Sequence, residues 1–346
     1  MTKEIIVGVS GGIDSSFSVL RLKEQGWRVH AVFLRMHDDQ AEDDMQRLGE
    51  LQRRYGIPVH EIDCQAQFQQ NVINPFLEAY KRCETPNPCV ICNAKLKIRL
   101  LIETADALGI ERIATGHYAA TVSYRGRTAL MRTENKKDQT YMLARLPSQW
   151  LPRLYFPLAK EHSKRNVRAE LAHSFGASVF MARESQNICF LRSEKLNDFL
   201  KRYIPPEQRR PGVMIDEQGH VLGQHEGLIF YTEGQRKGLG LSCGPWFVVS
   251  REPHNNQMCL RRGDEYKGMK IFFDRAMWQQ PWEAPHPYRV QYCYRFAPVE
   301  AELSECSDDS GIVRLRQPSG GISLGQTLVL YDGNVLVGCG VITKVV

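Results

Sequence analysis

Apolar residues in the first third of the chain fall into short runs separated by longer segments of helical period. Residues 4–9 (EIIVGV), 28–35 (RVHAVFLR), 57–63 (IPVHEID) and 111–115 (ERIAT) read as strands. Between them, 14–25, 38–55, 66–82 and 92–108 read as helices. In the first helix Phe17, Val19, Leu20 and Leu22 supply the apolar positions and Gly26 the stop. Strands alternating with helices predict an α/β fold with a doubly wound parallel sheet. The turn Ser10–Ser16 then lies at the carboxyl end of the first strand, where open α/β sheets bind ligands.

The pattern changes near residue 205, where Pro205-Pro206 and Pro211-Gly212 punctuate the chain. Short alternating runs follow at 212–216, 219–222, 228–231, 246–250, 257–260 and 269–273. They predict a small β-rich central domain. From about residue 285, the runs 288–294, 299–303, 311–316, 327–331 and 335–342, with turns such as Asp332-Gly333, predict a terminal β-barrel. The expected division is a catalytic domain at 1–204, a central domain at 205–275 and a barrel at 276–346. The chain shows no internal repeat and no low-complexity tract.

Composition adds boundaries. A chain of 346 residues with 42% hydrophobic and 24% charged residues has material for two or three domains and a sizeable core. The net charge of +6 is compatible with a polyanionic partner without demanding one. No secretory h-region and no run of about 20 apolar residues is present, so no membrane association and a cytoplasmic location are expected. Ten cysteines in such a compartment point to thiols, catalytic groups or metal ligands rather than a disulfide framework.

Five motifs carry candidate chemistry. In Ser10-Gly11-Gly12-Ile13-Asp14-Ser15-Ser16, two glycines, three hydroxyls, successive backbone N–H groups and a helix N-terminus all favour an anion. No lysine follows the glycines as in a Walker A loop, and the dinucleotide-binding glycine spacing is missing. In Thr85-Pro-Asn-Pro-Cys89-Val-Ile-Cys92-Asn93 the C-x-x-C pair stands at a helix N-terminus, where the dipole is expected to lower the thiol pKa. Two buried cysteines, a redox pair or half a metal site fit the spacing alone. Ser185-Gln-Asn-Ile-Cys189-Phe places a cysteine in an apolar run read as a strand. Ala114-Thr-Gly116-His117 ends a sheet strand, where the glycine permits close ligand approach. In Lys136-Lys137-Asp138-Gln139, lysines can meet phosphate and Gln139 a base edge.

Together these motifs resemble the tRNA 2-thiouridylases of the PP-loop ATP pyrophosphatase group, in order and over essentially the whole chain. The signposts are 8–16, 85–93, 114–119, 137–143, 185–191, 211–240 and 325–342. The resemblance implies an adenine-nucleotide α-hydrolase-like catalytic domain that uses ATP and Mg²⁺ to adenylate O2 of a tRNA wobble uridine. Sulfur transfer would then give 2-thiouridine, AMP and pyrophosphate. It implies ATP contacts at Gly8, Val9, Ser10, Gly11, Gly12, Ile13, Asp14 and Ser15, and at Leu34 and Gly116. The tRNA anticodon arm would meet Asn87, Pro88, His117, Lys137, Asp138, Gln139, Tyr294 and Gln326. Cys189 would carry a persulfide delivered by a sulfur-donor protein, or sulfur would come as free sulfide, and Cys92 would attack or release it.

Two positions depart from the family pattern. Cys89 stands where the family has an aspartate proposed as general acid/base, and a thiol's reference pKa is about 8.5 against about 3.9. Cys89, Cys92 and Cys189 match the three cysteines with which other PP-loop thiolases hold a [4Fe–4S] cluster, so persulfide and cluster routes both stand. Cys293, beside Tyr294, replaces an arginine expected on tRNA. The competing readings are a PP-loop C–N ligase, which needs no cysteine pair, and a non-catalytic tRNA-binding protein.

Overall fold

The computed structural model describes residues 3–37, 41–161, 167, 188–191, 194–263 and 267–346. Ser185, Gln186 and Asn187 of the Cys189 motif therefore lie outside the described residues. The chain forms two compact units. Unit 1 comprises 1–72, 89–190 and 334–336, and unit 2 comprises 73–88, 191–333 and 337–346.

In unit 1, strands β1 (Glu4–Val9), β2 (Arg28–Arg35), β3 (Val59–Asp63), β4 (Arg112–Thr115) and β7 (Leu154–Tyr155) form a parallel sheet in the order β3-β2-β1-β4-β7. Helix α1 (Ile13–Glu24) follows β1, and α2 (Ala41–Tyr55) joins β2 to β3. The chain winds outward from β1 through β2 to β3, then returns to place β4 on the other flank of β1. That reversal puts a switch point at the carboxyl ends of β1 and β4. The core joins Ile5, Val7, Phe17, Leu22, Val29, Ala31, Phe33 and Ala114. The central strand β1, buried along most of its length, reads as a continuous apolar run, which is why it was legible.

Two helical stretches are more broken than their apolar period suggests. Residues 66–82 resolve into α3 (Gln65–Phe68), a π turn (Gln69–Ile73) and α4 (Asn74–Lys81). The next stretch begins earlier than expected, at α5 (Pro88–Cys92), passes through a π turn (Asn93–Lys97) and continues as α6 (Ile98–Leu108). The hairpin β5 (Ala120–Tyr124) and β6 (Arg127–Met131) turns at Arg125-Gly126, both at positive φ.

Unit 2 contains α7 (Leu196–Tyr203) and a four-stranded sheet in the order β10-β11-β8-β9, built from β8 (Gly212–Asp216), β9 (Val221–His225), β10 (Trp246–Glu252) and β11 (Gln257–Arg262). Residues 228–231, expected as a strand, begin with a single 3₁₀ turn over Leu228–Phe230. Its three side chains are all buried, so the run is continuously apolar and its period could not separate strand from turn. The last six strands are β12 (Gly268–Trp278), β13 (His286–Gln291), β14 (Val299–Cys306), β15 (Gly311–Ser319), β16 (Thr327–Asp332) and β17 (Val335–Val345). They close in the order β12-β15-β14-β13-β16-β17, and β17 pairs back onto β12, giving the expected antiparallel barrel. Closure leaves those six strands without an unpaired edge. Among the described residues no helix is long and apolar enough to cross a membrane.

Candidate active site

The Ser10–Ser16 segment is a wound turn at the switch point. Gly11 takes a left-handed φ of +67° and Gly12 caps α1 in extended geometry. Ser10 N donates to Ser15 Oγ at 3.2 Å, and Ser15 Oγ donates to Gly12 O at 3.0 Å. This folds the loop over the first turn of α1, whose unpaired N–H groups form an anion-binding end. Asp14 Oδ1 accepts from the Tyr118 hydroxyl at 2.9 Å, so its carboxylate is held on the β4 side. Gly116, just after β4, packs against that turn. A Cβ there would sit 2.9 Å from Asp14 C and 3.0 Å from Ser15 N. Gly8 and Val9 close β1, and Leu34 lies near the carboxyl end of the neighbouring β2. The ten expected ATP residues thus converge on one end of the sheet.

The next residue along, His117, shares a 2.8 Å hydrogen bond between Nδ1 and Thr115 Oγ1. Burial, and then the nearby Lys97 cation, push its pKa down to about 3. The imidazole is therefore neutral at physiological pH. The 136–139 segment is split in its use. Lys137 is exposed. The Asp138 carboxylate accepts from Thr133 N (2.7 Å), Thr133 Oγ1 (3.1 Å) and Thr140 Oγ1 (3.0 Å), which makes it a loop staple. Gln139 Oε1 accepts from Tyr118 N at 3.0 Å, and Gln139 N donates to Tyr118 O at 2.7 Å. Those bonds orient the tyrosine that holds Asp14.

Cys89 and Cys92 lie on α5, and Cys189 opens a 3₁₀ turn (Cys189–Leu191) rather than the expected strand. Cys92 is buried, while Cys89 and Cys189 are half-buried. The expected lowering of the thiol pKa is reversed. Burial pushes Cys92 up to about 12 and Cys89 above its usual value, and Lys97 offsets this only partly. A five-residue helix has little dipole, and desolvation outweighs it. The four sulfurs of Cys64, Cys89, Cys92 and Cys189 all act on Lys97. Burial disfavours its ammonium, yet these sulfurs raise its pKa overall. Asn93 Nδ2 donates to Met142 O at 3.0 Å and pins the π turn that carries Lys97. Lys97 and Cys64 were missed in the sequence. The available signal was a lysine inside the apolar run Leu96-Lys97-Ile98.

All ten cysteines stand as free thiols. Among the described residues no three His, Cys, Asp or Glu side chains are placed to hold one metal ion. In unit 2, Asn87 and Pro88 end the segment leading into Cys89. Tyr294 O accepts from Gln291 Nε2 at 3.2 Å, and Gln326 O accepts from Ile342 N at 2.9 Å.

Three family models match in succession. A tRNA methyl transferase HUP domain covers residues 3–193, a tRNA methyl transferase PRC-barrel domain 197–262, and an aminomethyltransferase beta-barrel domain 269–342. The chain is 34% identical to a tRNA-specific 2-thiouridylase, MnmA, of Clostridium acetobutylicum, over 99% of this chain and 100% of that protein. It is also 34% identical to the MnmA of Dechloromonas aromatica, over 98% and 99%, and 33% identical to that of Salmonella arizonae, over 99% and 97%.

Proposed function

The chain belongs to the tRNA-specific 2-thiouridylase family, and on that premise we propose that it is an ATP-dependent tRNA uridine 2-sulfurtransferase acting at the wobble position. One observation carries the reading. The ATP turn, Gly116-His117 and the Lys97 thiol group follow one another within unit 1, with Gly116 against Asp14 and Lys97 acting on His117. A C–N ligase would have no use for the thiols.

Uridine C2 is a poor electrophile until its oxygen becomes a leaving group. The Ser10–Ser15 turn holds the ATP phosphates, and Asp14, held by Tyr118, is the carboxylate that would bind Mg²⁺ there. Attack of O2 on the α-phosphate releases pyrophosphate and leaves O2-adenylated uridine. The terminal sulfur of a Cys189 persulfide attacks C2 and AMP departs. The Cys92 thiolate then attacks Cys189 Sγ and breaks the bond to the transferred sulfur, leaving C2=S and a Cys92–Cys189 disulfide. A thiol reductant restores both cysteines and a persulfide carrier then passes its outer sulfur to Cys189, or sulfide attacks Cys189 Sγ of the disulfide directly, which gives the Cys189 persulfide and releases the Cys92 thiolate. Lys97 provides the positive charge that favours thiolate in this buried setting. Neutral His117 serves as a hydrogen-bonding contact for the nucleotide rather than a charge for phosphate. Cys89 remains a protonated thiol and does not replace the family's carboxylate. A [4Fe–4S] cluster held by Cys89, Cys92 and Cys189 would be the other source of sulfur, with one iron open to sulfide. The catalytic part is 1–204, and the central domain and the barrel, which takes in β12 from Gly268 onward and so begins earlier than the expected residue 276, grip the anticodon arm in the cytoplasm.

The deciding experiment is nucleoside analysis of tRNA from a strain lacking the gene. Loss of wobble 2-thiouridine is expected, and its retention at normal levels refutes the assignment. Anaerobic purification with iron analysis addresses the sulfur route. A colourless, iron-free, fully active enzyme assigns the sulfur to the Cys189 persulfide, and an iron chromophore needed for activity assigns it to a cluster.

A further inference from the structure

Asp14 is a carboxylate inside a turn suited to phosphate. It stands in the first turn of α1, two residues after the Gly12 cap. The N–H groups of a helix end attract any anion, and a carboxylate carried on the first turn is well placed to take them. Left to swing, it would compete with the ATP phosphates for those groups or repel them. The Tyr118 hydroxyl donates to Asp14 Oδ1 at 2.9 Å and draws the carboxylate to the β4 side.

Tyr118 is itself fixed twice. Its ring is 1% exposed and belongs to the same buried cluster as Val9, Ile13 and Phe17. A buried tyrosine hydroxyl needs a polar partner, and here the partner is Asp14. Its backbone is clamped by Gln139. Tyr118 N donates to Gln139 Oε1 at 3.0 Å, and Gln139 N donates to Tyr118 O at 2.7 Å. An N–H can meet only the carbonyl end of the amide, so the Gln139 side chain has one orientation. Gln139 O accepts from Met142 N at 2.9 Å, as the cap of the 3₁₀ turn Thr140–Leu143. On its other side, the Asp138 carboxylate is stapled to Thr133 and Thr140. The N–H and both carbonyls of Gln139 are thus used inside the protein, which leaves little of the residue for the base edge it is expected to read. All these residues belong to unit 1.

We infer that Tyr118 and Gln139 are positioning residues for ATP. Gln139 fixes the Tyr118 backbone, and the Tyr118 hydroxyl holds Asp14 clear of the helix end, so the N–H groups of the turn are left to the phosphates. This assignment rests on the ATP-dependent reading above. It gives Gln139 a task in the nucleotide step that RNA contact alone would not.

The test uses the full chain. ATP affinity is measured by calorimetric titration with Mg²⁺ and without tRNA, tRNA affinity by filter binding without ATP, and KM for each from pyrophosphate release. Tyr118→Phe removes one oxygen from a buried ring and should lower ATP affinity about tenfold, the scale of a hydrogen bond to a charged group. Gln139→Leu leaves the tyrosine hydroxyl in place but unclamped, and should lower ATP affinity about three- to tenfold, the scale of a neutral hydrogen bond. Gln139→Glu keeps an acceptor for Tyr118 N and should hold ATP affinity within about threefold of wild type. In Tyr118→Phe the KM for ATP should rise by the same factor as the affinity falls, while tRNA affinity stays within about twofold, a split that general loosening of the fold would not give. Should Gln139→Leu not fold, Tyr118→Phe and Gln139→Glu decide alone. Wild-type ATP affinity in Tyr118→Phe, or equal losses for ATP and tRNA, would overturn the inference. Wild-type ATP affinity with weakened tRNA binding in Gln139→Leu would overturn the part assigned to Gln139. A wild-type enzyme that binds no ATP would instead overturn the functional reading beneath it.

Discussion

Single atoms decide the ATP turn. Gly116 has no side chain because the first turn of α1 occupies that space. Gly116→Ala must push Asp14 and Ser15 outward, an overpacking cost of about 1–3 kcal/mol. ATP affinity should fall at least tenfold while the cysteine chemistry of preloaded enzyme persists, as measured by calorimetric titration. Unchanged affinity would remove Gly116 from the site. Cys92 gives a pH prediction. Its thiol, pushed up to about 12 by burial, is protonated across neutral pH. Alkylation of Cys92 in the resting enzyme, followed by peptide mass spectrometry, should therefore rise about tenfold per unit from pH 7 to 10, tracking the thiolate fraction. A plateau by pH 8 would show a preformed thiolate. Because the folded pKa exceeds the unfolded one, the group's contribution to stability is present below about pH 9 and is lost as pH rises toward 12. At this scale the Ser10–Ser16 turn and Gly116 stand where their motifs place them, whereas Cys92 ends α5 and Cys189 opens a 3₁₀ turn in place of the expected strand. The sign of the thiol shift was not legible in the sequence, because burial is a tertiary property. Nor was Lys97, since only folding shows which sulfurs surround it.

Elements set the angles between those residues. The π turn Asn93–Lys97 separates Cys92 from α6, and such turns often mark functional segments. Deleting Ala94 would let the turn close as ordinary α-helix and rotate α5 by about 100° relative to α6. The Asn93–Met142 hydrogen bond would be lost, and stability should drop by about 1–3 kcal/mol. Cys92 would face away from Lys97, so 2-thiouridine formation should fall at least a hundredfold while ATP still binds. Normal thiolation in the deletion variant would show that the π turn carries no catalytic geometry. The sequence gives no signature for such a turn, because apolar period fixes a helix's existence better than its winding. The β5–β6 hairpin was likewise hidden. Its turn is Arg125-Gly126, not the Asn-Gly pair that announces tight hairpins.

Over the whole molecule, the chain interleaves its two units. Residues 73–88 belong with unit 2 although they are flanked by unit 1, and 334–336 belong with unit 1 although the barrel surrounds them in sequence. Hydrophobic runs show elements and not which elements share a core, so this crossing could not be read from the pattern. It has a consequence for truncation. A fragment of residues 1–204 would keep 73–88 and α7 but lose Arg251, Leu324 and the rest of their unit. Phe76, Leu77, Tyr80, Phe199 and Leu200, all buried in the full chain, would then lose most of the unit they belong to. The Phe76 and Phe199 rings, 6.3 Å apart, are too few to make a core. At roughly 1.5–3 kcal/mol for each side chain left exposed, the loss approaches the whole stability of an ordinary domain, about 5–15 kcal/mol. Unit 1 is affected as well, because Val335 would no longer pair with Met131, nor Asn334 O accept from Arg132 N at 2.9 Å. The fragment should therefore bind a hydrophobic dye, elute as aggregates and show no cooperative thermal transition. A monomeric 1–204 fragment that unfolds in one sharp step and binds ATP like the full chain would show that the catalytic sheet needs nothing from the rest of the molecule.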